Sequence, residues 1–260
     1  MFTTFEGRTE AAPYSPPRDV MSLDECYFYH TMDVPGHGTV EGEWDLRGAI
    51  GPYLGNFDFG GKRVLDVGAA SGILSFHIEH QGAEVVSFDL SDEFDWDIVP
   101  FRSNDWEASR RDRRAHLRRI NNGYWFCHKA FGSRAQMVNG VAYDIPESIG
   151  PVDVAVFGSI LLHLRDPFLA LESGARLAQE AMIVADVSPY GRLGSSFLKR
   201  PRFMPKADRP DWVTDGWFRL PPLLVIEYLK ILGFPYCSLS WGNYRYRDRK
   251  VPIYTIVARR

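Results

Sequence analysis

The sequence predicts an α/β fold in which helices cover both faces of a mostly parallel sheet. Seven strand-like runs alternate with helical segments, and this alternation is typical of parallel strands joined by helical crossovers. The last two runs are joined by a polar stretch, 242–250, without a helix, so we expect an antiparallel hairpin at the end of the sheet. The seven runs are 63–67, 84–89, 136–139, 152–157, 181–187, 235–241 and 251–258.

The helix before this hairpin is clearly marked. Its apolar residues recur at helical spacing between Pro221 and Leu232, and Gly233 provides a stop signal. Prolines at the start and a glycine after the end are typical of a helix, so we expect this segment to pack on the sheet.

Length and composition favour one large domain. The chain has 260 residues, of which 45% are hydrophobic, and this is enough for a single α/β core. We predict a mobile arm over 1–20, an N-terminal cap element over 21–61 and one main domain over 62–260. Two stretches, 105–132 and 188–220, exceed what a minimal sheet needs, and we expect these inserts to build the substrate pocket.

Charge and cysteine content exclude several classes of protein. The net charge of −3 gives no overall attraction to nucleic acid, so any basic surface must be local. The three cysteines lie far apart, the N-terminus lacks an apolar signal core, and no apolar stretch approaches ~18 residues. We therefore expect a cytoplasmic protein with no membrane segment and no metal site, and the pattern leaves its oligomeric state open.

Small residues form the turn after the first strand of the sheet. The strand 63–67 carries Asp66, and Gly68, Ala70 and Gly72 follow before helical spacing begins. Because these residues are small, backbone N–H groups at the start of the helix can approach a ligand closely. The turn therefore predicts a nucleotide-cofactor site.

A second acid ends the next strand-like run. Asp89, followed by Leu90, stands where a carboxylate can accept two hydrogen bonds from a ribose diol. NAD would use the same group, but the dinucleotide fingerprint needs glycines at 70 and 73, where the chain has Ala70 and Ile73. The spacing therefore disfavours NAD.

The segment from Asp66 to Gly72 resembles the acid-x-G-x-G-x-G pattern of class I S-adenosylmethionine methyltransferases, with Ala70 in place of the middle glycine. The resemblance implies a Rossmann-like, seven-stranded sheet and S-adenosyl-L-methionine as the cofactor. The run 141–146 is similar to the segment where these enzymes contact adenine. Asp144 would accept from the adenine amino group and Ile145 would cover the base.

The loop 158–167 begins with Gly158 and Ser159 and lies at the carboxyl edge of its strand, where open α/β sheets bind ligands. Its His163 has two open roles: it takes a proton from an attacking hydroxyl or amine, or it holds the loop by a hydrogen bond. His30 is the second, less favoured candidate for the base. We expect Ser159 on the cofactor side and Arg165 on the substrate side.

Two aromatic blocks precede the sheet, one containing Tyr29 and His30 and the other Trp44. Together with the glycine turn and the His163 loop, they resemble the tRNA wobble-uridine (5-oxyacetic acid) methyltransferases and their relatives over about 25–190. The tRNA enzyme uses carboxy-S-adenosylmethionine and has a tyrosine before the loop histidine, whereas this chain has Leu162. An apolar side chain cannot bind a cofactor carboxylate, which favours ordinary S-adenosylmethionine.

Trp44 has two interpretations. Its ring covers a sulfonium through a cation–π contact, or it closes the edge of the sheet. Tyr29 from the preceding block is predicted to contact substrate.

The run 110–119 is the strongest local positive charge, with aromatic residues following at Tyr124 to Phe126. It either binds phosphates and stacks bases, or forms a solvated helix face paired with nearby acids. Tyr124 and His128 share a helix face, so they point together into a substrate pocket or together into the core.

These patterns predict methyl transfer to an oxygen or nitrogen of a small-molecule acceptor of the sugar or natural-product type. One alternative is tRNA wobble-uridine (carboxy)methylation, with the run 110–119 as the phosphate-binding face. The other is a non-catalytic scaffold that keeps the cofactor pocket.

Overall fold

The computed structural model of the chain describes residues 13–209 and 215–260. Its main sheet has the strand order β3-β11-β12-β8-β7-β4-β5-β6. The pairs among β8, β7, β4, β5 and β6 are parallel, whereas β12 is antiparallel to β8, β11 to β12 and β3 to β11. The predicted α/β class and the antiparallel hairpin are confirmed.

The seven predicted runs correspond to strands of the main sheet, and five further short strands among the described residues were not predicted. The strands are β1 (Met32–Val34), β2 (Gly38–Val40), β3 (Trp44–Asp45), β4 (Arg63–Val67), β5 (Glu84–Asp89), β6 (Gln136–Asn139), β7 (Val152–Gly158), β8 (Ala178–Val187), β9 (Arg202–Phe203), β10 (Phe218–Arg219), β11 (Tyr236–Tyr246) and β12 (Arg249–Arg259). The helices are α1 (Ile50–Tyr53), α2 (Ile73–His80), α3 (Trp106–Phe131), α4 (Pro167–Leu177), α5 (Gly191–Gly194) and α6 (Pro222–Ile231).

The main sheet has eight strands rather than the seven predicted. The additional strand is β3, whose Trp44 and Asp45 pair with Tyr246 and Arg245 at the far end of β11. A two-residue strand is too short to show an alternating pattern, so the local sequence gives no sign of it.

Side chains of the central strands alternate between two apolar cores, one on each face of the sheet. Val64 and Val85 pack in the core that contains α2 and α3, whereas Leu65 and Val86 pack in the core that contains α4 and α6. Both faces are therefore covered by helices, which explains why these strands are apolar on both sides.

The two predicted inserts differ in structure. The first, 105–132, is the helix α3, which begins at the Asp105 cap, where the carboxylate accepts from Ala108 N–H at 3.0 Å, and ends at Gly132 with a φ of 60°. The second, 188–220, contains α5 and the paired strands β9 and β10, and its residues 210–214 lie outside the described residues.

The N-terminal segments pack on the sheet. Residues 1–12 of the predicted arm lie outside the described residues, but Tyr14 bridges Val138 and the Ser15 N–H donates to Met137 O at 2.8 Å. The predicted cap 21–61 contains β1 to β3 and α1, and its buried side chains belong to the same core as α2 and α3. No helix among the described residues is long and apolar enough to cross a membrane.

A chain of hydrogen bonds runs through the core beneath the turn that follows β4. Tyr124 Oη donates to Ser87 Oγ at 2.9 Å, Ser87 Oγ to Ser75 Oγ at 2.8 Å, and Ser75 Oγ to Asp66 Oδ2 at 2.6 Å. All four side chains are 0% exposed. The chain links α3, β5, α2 and β4, and burial raises the pKa of Asp66 to about 6.

Removing a side chain from the middle of this hydrogen-bond chain should destabilise the protein more than removing the hydroxyl group at its end. Ser75→Ala leaves buried polar groups on both sides without a partner, so we expect a loss of about 2–3 kcal/mol in the free energy of unfolding. Tyr124→Phe removes only the terminal donor and should cost about 1 kcal/mol. Urea unfolding measures both values, and an equal or smaller loss for Ser75→Ala would contradict the chain. Alanine favours the helix, so helix propensity cannot produce the expected loss.

Asp186 is a second buried carboxyl group, in β8 opposite Tyr254 of β12. Its Oδ1 accepts from Val187 N–H at 2.6 Å, whereas Oδ2 and the Tyr254 hydroxyl have no partner within the described part of the chain. Burial raises the pKa of Asp186 to about 7 from the ordinary value of 3.8. Between pH 3.8 and about pH 7 the native state binds more protons at Asp186 than the unfolded state does. The contribution of Asp186 to the free energy of unfolding therefore falls as the pH rises through this range.

Asp186→Asn should therefore stabilise the protein at high pH. The amide keeps the shape and removes the buried charge, so we expect the free energy of unfolding at pH 8 to rise by about 1–3 kcal/mol. The difference from the wild type should shrink as the pH falls toward about 4. Urea unfolding at several pH values tests this, and a variant less stable than the wild type at pH 8 would contradict it.

Candidate functional site

A cavity of about 530 Å³ lies at the carboxyl ends of β4, β5 and β7. The neighbours of β4 are β5 on one side and β7 on the other, so the cavity lies at the point where the strand order reverses. This is where open α/β sheets bind ligands. Its walls also include residues of the cap, of α3, of 215–219 and of the β11–β12 hairpin.

The turn after β4 forms one wall. Gly68 and Ala70 line the cavity and have φ angles of 83° and 48°, and a Cβ on Gly68 would lie 2.6 Å from the side chain of Ile160. However, the N–H groups of Gly68 and Ala69 donate to Phe88 O at 2.8 and 3.3 Å. The Ala70 N–H donates to Asp89 Oδ2 at 2.6 Å. β5 therefore uses these three N–H groups, and they are not free to bind a ligand.

Asp89 lines the cavity at the end of β5, next to Leu90. Its Oδ2 accepts from Ala70 N–H and its Oδ1 from Leu90 N–H at 2.7 Å. Each oxygen keeps a lone pair for a further donor, as a vicinal diol would require. Burial raises the pKa of Asp89 to about 6.

Asp66 and Gly72 do not line the cavity, although the sequence predicts both as cofactor residues. Asp66 is buried at the end of the Tyr124 chain, beneath the turn. Gly72 has a φ of 88°, and a Cβ there would collide with the rings of Phe76 and Tyr124. Both residues fix the shape of the turn.

The segment after β6 is shifted relative to the prediction. Gly140 to Tyr143 line the cavity, whereas Asp144 is exposed and Ile145 is buried, with its N–H donating to Ser173 Oγ at 2.7 Å. The chain turns at 141–144, where the Asp144 N–H donates to Val141 O at 3.0 Å, and so leaves the cavity before Asp144. Val141 and Ala142 occupy the position expected for Asp144 and Ile145.

His163 also lines the cavity, at the end of the short 3₁₀ turn Leu161–His163. Its Nδ1 lies 2.6 Å from Asp215 O, and a carbonyl oxygen can only accept. Nδ1 therefore carries the proton of the neutral ring, which leaves Nε2 with a free lone pair. The Trp217 N–H donates to Leu162 O at 2.8 Å and holds the same turn.

Ser159, before this turn, lines the cavity with a φ of 54°. Its Oγ lies 2.8 Å from the Tyr53 hydroxyl, and its N–H donates to Ala185 O at 2.7 Å. These bonds hold its backbone in a conformation that few residues other than glycine adopt.

The cap supplies Tyr29, His30 and Trp44, all of which line the cavity as the sequence suggested. Burial lowers the pKa of His30 to about 4, and its Nδ1 has no partner within the residues that the structure describes. The ring of Trp44 lies 4.6 Å from that of Tyr246 in the hairpin. Trp44 thus contacts both the sheet edge and the cavity.

Three predicted substrate residues lie elsewhere. Tyr124 is in the core, and His128 faces a separate cavity of about 260 Å³, with Nε2 2.9 Å from Ala135 O. Arg165 is exposed, pairs with Asp97 at 3.1 Å and lies over the Trp217 ring. Helical spacing correctly places Tyr124 and His128 on one face of α3, but that face packs on α2.

Several residues that line the cavity were not predicted. They come from loops and from the hairpin, where no local period marks them, although the Tyr- and Arg-rich tip 243–250 is a compositional signal. The set is Glu43, Trp96, Asp97, Asp215, Arg219, Tyr246, Arg247 and Arg249. No group of three or more His, Cys, Asp or Glu residues in the described ranges could hold a metal ion.

The arginines of α3 pair with acids that are distant in sequence. Arg110 and Arg114 lie 3.7 and 3.1 Å from Asp95, and Arg113 lies 3.2 Å from Asp215. Their partners lie in loops next to the cavity, so these side chains brace its walls.

No protein-family model matches the chain, and no curated protein matches it. Three solved structures are similar to it at 15–16% identity. The N-terminal domain of EvdMO1, with SAH and D-fucose, has a TM-score of 0.51 and covers 81% of this chain and 79% of its own. Magnesium protoporphyrin IX methyltransferase from Synechocystis PCC 6803, with SAH, has a TM-score of 0.50 and covers 82% and 81%.

The third is the 1,6-didemethyltoxoflavin-N1-methyltransferase of Burkholderia thailandensis, with a TM-score of 0.51 over 82% of this chain and 78% of its own. At this identity the likeness shows the fold. The closer resemblance to tRNA wobble-uridine enzymes stays a prediction. The chain therefore has the Rossmann-like α/β fold of class I methyltransferases.

Proposed function

We propose that this chain is an S-adenosylmethionine-dependent methyltransferase that methylates an oxygen or nitrogen of a small-molecule acceptor. The carrying observation is that one cavity is lined both by Asp89, with free acceptor capacity, and by His163, with a free Nε2. Two of the similar structures support this proposal, since one was determined with SAH and D-fucose and the other with SAH and 1,6-didemethyltoxoflavin.

The residues present suit the cofactor. The Asp89 carboxylate would accept from both ribose hydroxyls, Gly68 and Ala70 leave room beside it, and Val141 and Ala142 offer an apolar surface for adenine. When bound, S-adenosylmethionine supplies a methyl group activated by its sulfonium. Trp44 lies in the same cavity, and its ring face would favour a cation near it.

His163 acts as the proton acceptor in this proposal. Because the Asp215 carbonyl holds the Nδ1–H, the Nε2 lone pair can accept the proton of an attacking hydroxyl or amine. His30 is the weaker candidate, since burial lowers its pKa to about 4 and its ring holds a proton poorly at neutral pH. Most of the rate enhancement would come from the positioning of acceptor and methyl group.

A small acceptor is favoured over tRNA. The arginines that would form a phosphate-binding face include Arg110, Arg113 and Arg114, and all three are paired with Asp95 or Asp215. Affinity for an RNA substrate would fall steeply with salt, whereas affinity for a small neutral acceptor would not. Turnover of any acceptor would exclude the non-catalytic scaffold.

Calorimetric titration with SAH tests the cofactor assignment. Wild-type protein should bind SAH and S-adenosylmethionine in preference to NAD, and Asp89→Ala should lose about 1.5–3 kcal/mol of binding free energy. The exposed neighbour Glu93 provides the control Glu93→Gln, which should bind like the wild type. Binding of NAD alone, or unchanged SAH affinity in Asp89→Ala, would contradict the proposal.

The same titration should depend on pH through Asp89. Its ionised form accepts hydroxyl donors best, and its pKa in the free protein is about 6, so SAH affinity should fall as the pH drops from 8 to 5. Asp89→Asn should bind weakly and show a flatter profile. A wild-type profile without a change near pH 6 would argue against a ribose contact at Asp89.

His163→Ala should lower turnover far more than it lowers cofactor affinity. Loss of a general base costs about 100-fold or more in kcat, measured as SAH release with an acceptor identified by screening metabolites. The control is His80→Gln, at an exposed position at the end of α2. Added imidazole should partly restore turnover in His163→Ala. Full turnover in this variant, with unchanged SAH binding, would assign His163 to holding the loop.

A further inference from the structure

One end of the cavity is lined by three arginines. Arg219 lies in β10. Arg247 lies in the turn between β11 and β12, and Arg249 is the first residue of β12. Arg247 pairs with Glu43 at 3.3 Å, and Arg249 lies 5.3 Å from the centre of the Tyr246 ring. The guanidinium group of Arg219 makes neither an ion pair nor a contact with an aromatic ring among the described residues.

The side chain of Arg219 is half-buried, and no hydrogen bond or ion pair joins its guanidinium group to another residue that the structure describes. A guanidinium group carries five N–H donors, and leaving it partly desolvated without an acceptor is unfavourable. Burial lowers the pKa of Arg219, and repulsion by Arg202 and Arg249 lowers it further, whereas Asp186 attracts the guanidinium group.

Asp186 does not satisfy Arg219. Its Oδ1 accepts from Val187 N–H, and no hydrogen bond joins it to the guanidinium group of Arg219. The other carboxylates of the cavity are already engaged. Asp95 pairs with Arg114, Asp97 with Arg165, Asp215 with Arg113, Glu43 with Arg247, and Asp89 accepts two backbone N–H groups.

We propose that the methyl acceptor carries a carboxylate or phosphate group and that Arg219 binds this anion. The inference rests on the proposed function and narrows its acceptor to an anionic small molecule. A guanidinium binds carboxylate and phosphate oxygens in a bidentate manner, so it would fix orientation as well as affinity.

The position of Arg219 links the anion to the proton acceptor. The segment 215–219 holds His163 through Asp215 O and carries Arg219 four residues later. Four residues span at most about 13 Å of backbone, so Arg219 lies on the same short segment that holds His163, and both line the same cavity. Binding at Arg219 would therefore orient the acceptor relative to Nε2 of His163.

Anion binding by the SAH complex tests the proposal. The probes are acetate, benzoate, inorganic phosphate and phenyl phosphate, with acetamide and benzamide as neutral controls, titrated at pH 8. At least one anion should bind ten times more tightly than its neutral counterpart. Arg219→Gln should weaken that anion at least tenfold and change SAH affinity less than twofold, and Arg219→Lys should retain more affinity because it keeps the charge.

The matched control is Arg202→Gln. Arg202 pairs with Arg219 across the β9–β10 ladder but is exposed and outside the cavity lining, so anion affinity should change less than twofold. The proposal is overturned if wild-type protein does not prefer any anion, or if Arg219→Gln binds anions like the wild type.

Two further results would show that Arg219 binds an anionic group of the cofactor rather than of the acceptor. Either of them would overturn the proposal. One is a tenfold loss of SAH affinity in Arg219→Gln. The other is a wild-type preference for carboxy-S-adenosylmethionine over S-adenosylmethionine that disappears in this variant. If wild-type protein fails to bind SAH at all, the proposed function fails, and anion titration without SAH still reports on Arg219 separately.

Discussion

The buried hydrogen-bond chain from Tyr124 to Asp66 is the constraint on which the rest of the site depends. It crosses four elements, α3, β5, α2 and β4, and each member is fully enclosed. A polar group this deep is tolerated only where its partners are fixed, so the chain specifies how α2 and α3 sit on the sheet. The packing of α2 and α3 on the sheet in turn determines the shape of the turn between β4 and α2. Asp89 then receives the Ala70 N–H and is held facing the cavity.

The residues of the glycine-rich pattern after β4 have two different roles, one in lining the cavity and one in shaping the turn. In the pattern from Asp66 to Gly72, Gly68 and Ala70 border the cavity, whereas Asp66 and Gly72 lie behind the turn. The acid is needed because Ser75 donates to it, and the last glycine because aromatic rings fill the space next to it. The orientation of His163 likewise depends on a backbone carbonyl supplied by a distant segment.

Seven strands of the main sheet could be located from the sequence because their apolar period is local, and so could α6 from its proline start and glycine stop. The site was harder to predict. Asp144 was chosen from its order along the chain, but a turn at 141–144 directs it to solvent. Tyr124 and His128 share a face as expected, yet the period does not say what that face packs against. The strand β3 and the arginines of the hairpin depend on pairing between the two ends of the chain, which no local pattern encodes.

Glu43 has a consequence for the order in which the protein forms during synthesis. It accepts hydrogen bonds from Tyr27 and from Tyr246, and the latter is 203 residues further along the chain. The cap residues Tyr29 and Trp44 are therefore synthesised long before the hairpin residues that pack beside the cap. The edge of β8 likewise stays unpaired until β12 has been synthesised. Such long-range contacts are slow to form. The nascent chain can thus assemble its central strands early, while a complete cavity exists only after the β11–β12 hairpin has been made.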